Sequence, residues 1–219
     1  GSGDPVVVLE RFGSMSPPAS GHAVSQTSGR TLVVRNSNNA NVIGSGPGKL
    51  FVEDVVAGCW HVGPGVRAWF RQLNSENVST KLINDGGTAW ILGLKTEKQG
   101  TPIVTIGGGT TELIGGLVNP VQGLPIEQPM FIVEESRFSA VIGESSYAGD
   151  ANHDIVVDEP RGGELRRLYD NEAFDRVGNG FGAVLPVYAG FPHDAQPSPP
   201  PGPVAHWTFD DGFDTTAED

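Results

Sequence analysis

Cysteine is nearly absent: Cys59 is the one such residue in a chain of 219. A single thiol excludes an intrachain disulfide and any cysteine-based zinc cluster. Basic residues are scarce as well. Lys and Arg number 14 against 26 Asp and Glu, a formal net charge of −12. Such a chain repels phosphate backbones, so no nucleic acid is expected as a partner. No apolar run approaches the roughly 18–20 residues of a membrane span, and none is expected. The five histidines (His22, His61, His153, His193 and His206) show no paired metal-ligand spacing. No serine sits in a G-x-S-x-G elbow. Gly107-Gly108-Gly109 opens no helix, which makes it a corner rather than a phosphate loop.

What is present favours sheet. There are 24 valines against 13 leucines, and β-branched residues suit pleated strands better than helices. Leu, Ile, Val and Phe together make 57 residues, above the ~20% floor of unfolded chains, so a core can form. Composition divides the chain into four parts. Residues 1–30 form an N-terminal segment and cap around Val6-Val7-Val8-Leu9, and residues 31–145 are regular. Residues 146–192 read as a β-rich extension or cap, with a hairpin or short helix near Gly163–Phe174. Residues 193–219 hold the stiff Gln196-Pro197-Ser198-Pro199-Pro200-Pro201 linker and an acidic tail.

The regular part repeats. Leu32-Val33-Val34, Leu50-Phe51-Val52, Ala68-Trp69-Phe70, Ala89-Trp90-Ile91, Glu112-Leu113-Ile114 and Met130-Phe131-Ile132 follow one another at spacings of 18, 18, 21, 23 and 18 residues. Glycine-rich turns such as Gly46-Pro47-Gly48, Gly63-Pro64-Gly65 and Asp85-Gly86-Gly87 separate them. Short apolar strands recurring in phase at this period predict the coils of a parallel β-solenoid, about six of them. A sandwich would space its strands at ~8–12 residues.

The stretches Phe51–Asn77 and Asn84–Leu113, with Trp60, Trp69, Trp90 and the Gly107–Gly109 corner, resemble coils of pectin-lyase-like proteins. The resemblance implies an all-β, single-stranded right-handed parallel β-helix over about residues 30–145. His206-Trp207-Thr208-Phe209-Asp210-Asp211-Gly212 resembles the opening of a laminin-G/concanavalin-like domain. Together they imply a piece of a larger secreted bacterial protein, located outside the cell or at its surface.

In a strand, alternate residues share a face. Position three of each triplet reads Val34, Val52, Phe70, Ile91, Ile114, Ile132, a core row. Position two then faces outward and reads Val33, Phe51, Trp69, Trp90, Leu113, Phe131. Stacked at about 4.8 Å, these side chains make a continuous apolar row, which a solvated surface would not carry. Its cover could be a flanking segment of the chain, another subunit or a polysaccharide.

Two further rows along, Arg35, Glu53, Arg71, Leu92, Gly115 and Val133 alternate in sign at first, as a cross-strand charge ladder does. Glu53, Asp54 and Arg71 would be the acid, base and cation of a polysaccharide lyase or hydrolase site; a solvated charged row is the plainer reading. Asp150-Ala151-Asn152-His153-Asp154 has the spacing of a calcium loop. Ile155 at the turn position and Arg161 at the twelfth depart from that pattern, and a polar hairpin tip fits better. Calcium through Asp150, Asn152 and Asp154 is thus the one cofactor the sequence suggests. The expected function is a noncatalytic β-helix module for scaffolding, adhesion or self-assembly, with polysaccharide contact; the alternative is a fragment of a polysaccharide lyase or glycoside hydrolase. Partners would be further copies of the chain or other domains of the parent protein.

Overall fold

The computed structural model describes residues 5–13, 23–38, 41–56, 58–121, 123–146, 152–174 and, for the backbone, 183–190. They form a parallel β-solenoid of about five turns. Each turn gives one strand to sheet A and one to sheet B. In order the strands are β1 (Val6–Glu10), β2 (Val24–Gln26), β3 (Thr31–Asn38), β4 (Val42–Gly44), β5 (Leu50–Val56), β6 (Trp60–Val62), β7 (Arg67–Ser75) and β8 (Leu82–Asp85). They continue as β9 (Thr88–Glu97), β10 (Ile103–Ile106), β11 (Thr110–Asn119), β12 (Pro129–Val133), β13 (Arg137–Glu144) and β14 (Ile155–Arg161). Odd strands stack in sheet A and even strands in sheet B, all parallel. Two antiparallel strands close the far end: β15 (Glu164–Tyr169) against β14, and β16 (Ala183–Gly190) against β13. A short helix, α1 (Asp170–Ala173), follows β15.

The core lies between the sheets. From sheet A come Leu32 and Val34, Leu50 and Val52, Ala68 and Phe70, Ala89 and Ile91; from sheet B come Val42, Trp60, Leu82, Ile103, Phe131 and Val157. A bend divides β3, β5, β7, β9 and β11 of sheet A. Asn36, Asp54 and Gln72 have φ of 50–53°, and Gly93 and Gly115 of 73–80°. The left-handed residue puts two consecutive side chains outside and returns Val55, Leu73 and Leu94 to the core. The turns from sheet B back to sheet A are tight. At Gly48 a Cβ would lie 2.0 Å from the Arg30 carbonyl of the preceding coil, so only glycine fits.

The predicted register holds for the Leu32, Leu50, Ala68 and Ala89 triplets and then slips by one. The triplet stacked on Ala89-Trp90-Ile91 is Thr111-Glu112-Leu113, followed by Phe138-Ser139-Ala140. Leu113 is therefore core and Ile114 faces outward, the reverse of the expectation. Met130-Phe131-Ile132 belongs to sheet B, where Phe131 pairs with Ile103 and Val157 and is fully buried. Phe131 and Leu113 thus leave the outward row. The stack also runs past residues 31–145 at both ends, and Val6–Leu9 extends it as a parallel strand rather than capping it.

Candidate functional site

The corrected outward row of sheet A reads Val8, Val33, Phe51, Trp69, Trp90, Glu112, Ser139. Its centre is a ring stack. The Phe51 and Trp69 ring centroids lie 4.7 Å apart with planes 9° off parallel; Trp69 and Trp90 lie 4.9 Å apart at 14°. These separations match the coil spacing. The rings therefore cover one another's faces and present their edges outward. Both faces of Trp69 are taken, leaving a sugar ring the outer faces of Phe51 and Trp90 alone.

The neighbouring row starts charged and turns apolar. Glu10 and Arg35 pair at 2.7 Å, and Glu53 pairs with Arg71 on the next two coils. Beyond Arg71 the row continues as Leu92, Ile114 and Val141, exposed by 56%, 49% and 41%. These three and the ring edges form one apolar stripe on sheet A, with a hollow of about 290 Å³ at Phe51, Trp69, Trp90, Arg71 and Leu92. The sequence reading missed Ile114 and Val141 because it carried the register slip. Aligning Gly93 with Gly115, both left-handed corners, would have placed them.

The candidate catalytic trio is on this face. Arg71 pairs with Glu53, and the backbone of Asp54 makes the left-handed bend. Of the calcium residues, Asp150 lies outside the described residues, and no group of three or more His, Cys, Asp or Glu side chains fit for a metal occurs among those described. Asn152 and Asp154 flank His153, which is buried; its Nδ1 meets Glu144 Oε1 at 2.6 Å. Arg161, the twelfth position, is also buried and pairs with Glu159 at 2.7 Å.

On the opposite corner, burial raises the Cys59 thiol pKa, and Asn77 Nδ2 donates to its sulfur at 3.3 Å. The thiolate is disfavoured, consistent with an inert side chain. Lys81, fully buried beside it, donates from Nζ to the Gln99 and Gly100 carbonyls at 2.5 and 2.8 Å. Burial pushes its pKa down to about 8.

No family model, no curated protein and no solved structure matches this chain.

Proposed function

We propose that the chain is a noncatalytic β-solenoid module of a secreted bacterial protein related to the pectin-lyase-like superfamily, and that it works as a scaffold which assembles through the outer face of sheet A. The observation that carries this reading is the stripe of stacked ring edges with Leu92, Ile114 and Val141. Ring edges and aliphatic tips make an apolar surface, which suits another protein face better than a sugar, whose stacking needs open ring faces. Polysaccharide contact is left to the two end rings. The resemblance of residues 206–212, which lie outside the described residues, to the opening of a laminin-G/concanavalin-like domain supports a place beside other domains at the cell surface.

Light scattering on the chain and on a Trp69→Ala/Trp90→Ala variant tests the proposal. Assembly through this face requires the variant to have a lower mass than the parent chain while its β-sheet circular dichroism is kept. An unchanged mass would overturn it, and so would a monomeric parent chain that binds polysaccharide through the same residues.

A further inference from the structure

With one cysteine in the chain, no disulfide staples one coil to the next. Past the left-handed bend of sheet A, however, one pair of neighbouring coils brings an amine onto a carboxamide. Asn74 of β7 and Lys95 of β9 are direct partners in the parallel register, so their side chains leave the sheet side by side. Glu76, one residue beyond β7, joins them. Its Oε1 accepts from Lys95 Nζ at 2.5 Å and from Asn74 Nδ2 at 3.0 Å. Glu97, the last residue of β9, also pairs with Lys95. The Asn74 carbonyl oxygen is buried and has no hydrogen-bond partner among the described residues.

We infer that Lys95 and Asn74 join through an isopeptide bond that stitches β7 to β9, with Glu76 as its catalytic acid and base. Lys95 Nζ, as the neutral amine, attacks Asn74 Cγ. The new C–N bond forms, the Cγ–Nδ2 bond breaks, and ammonia leaves. One oxygen of Glu76 touches both the entering and the leaving nitrogen, so it takes the proton from Nζ and returns it to Nδ2. The step balances without an oxidant or a co-reactant. Holding amine and amide on a single carboxylate supplies the proximity that an unactivated amide requires. The other ion pairs on this face, Glu10–Arg35 and Glu53–Arg71, use arginine, whose guanidinium stays protonated and does not attack.

The amine sets the rate. Partial burial disfavours the ammonium, but the bonds to Glu76 and Glu97 outweigh it, and the Lys95 pKa is raised. Neutral amine is therefore scarce at neutral pH and becomes more abundant as the pH climbs.

Intact-mass spectrometry of the full chain, kept at pH 7 and at pH 10, tests the inference. The chain should lose the mass of one ammonia, faster at pH 10, and its digest should contain a branched peptide joining Asn74 to Lys95. Glu76→Gln should slow the loss by about a hundredfold with β-sheet circular dichroism kept. Lys95→Arg, which retains a cation between the two glutamates, should abolish it. Asparagine can also lose ammonia by closing on its own backbone, so a loss that persists in Lys95→Arg overturns the inference. A chain that keeps its full mass at pH 10, or whose Asn74 amide is instead hydrolysed to the acid, overturns it as well. An unchanged rate in Glu76→Gln would remove Glu76 from the role assigned to it.

Discussion

The middle coils and the first coil are written in one pattern, but stacking treats them differently. Leu50 and Val52 sit between two neighbours and are at most 2% exposed. Val7 and Leu9, their counterparts in β1, have a neighbour on one side and stay half-buried. In a solenoid each coil is stabilised mainly by the coils it touches, so equal residues contribute unequally by position. The same logic separates structure from function. Inward rows are closed by neighbours in the middle coils, while apolar exposure survives on the outer face of sheet A.

The sharpest test of that inequality is a pair of truncations. Phe70 is buried in a middle coil and meets Trp60 edge to face at 5.6 Å. Phe70→Ala should cost about 3–5 kcal/mol; Leu9→Ala in the first coil should cost about 1 kcal/mol, the share of a side chain only partly removed from water. Urea midpoints measure both, and equal losses would break the comparison.

Lys81 gives the next effect. With its pKa near 8 when folded and 10.5 when unfolded, the unfolded chain holds more protons between those values. Stability should therefore rise by about 3 kcal/mol as the pH climbs through that window, and the full penalty persists below it. Subtracting the same titration of Lys81→Met isolates the residue. A flat difference would show that the two carbonyl bonds hold the charge.

The left-handed column should respond unequally at neighbouring coils. Gly93→Ala should lose about 1–2 kcal/mol, whereas Gln72→Gly, already left-handed, should shift thermal stability by less than about 1 kcal/mol. The smallest change belongs to the surface pair. Glu53→Gln should cost about 0.5 kcal/mol or less, fading with salt. A larger loss would mean that the charged row is structural.

Much of the solenoid was legible because its repeat is local. Apolar triplets at 18–21 residues and glycine turns recur wherever a strand of sheet A carries bulky residues, and four coils aligned correctly. The register failed at the fifth, where Thr111 is buried through a side-chain bond to Thr105 at 2.9 Å and to Asn84 at 2.9 Å, and where Glu112 takes the ladder position. Hydrophobicity marks the wrong residues there. Phe131 misled for another reason: an apolar run in sheet B has the same alternation as one in sheet A, and only strand pairing tells them apart. Near Gly163–Phe174 the sequence suggested a hairpin or a short helix; the structure has both, β15 returning on β14 and α1 following it.

The sequence alone determined that this chain is β-rich, that it repeats in coils, and that aromatic residues recur at one position of the repeat. Those properties follow from composition and from the two-residue period of a strand. Tertiary structure decided which rows stack, that the rings face each other instead of the solvent, and that sheet A shows Leu92, Ile114 and Val141 together. It also decided which end is closed by antiparallel strands. These depend on inter-coil register, and register is set by corners of unequal length whose geometry no single coil encodes.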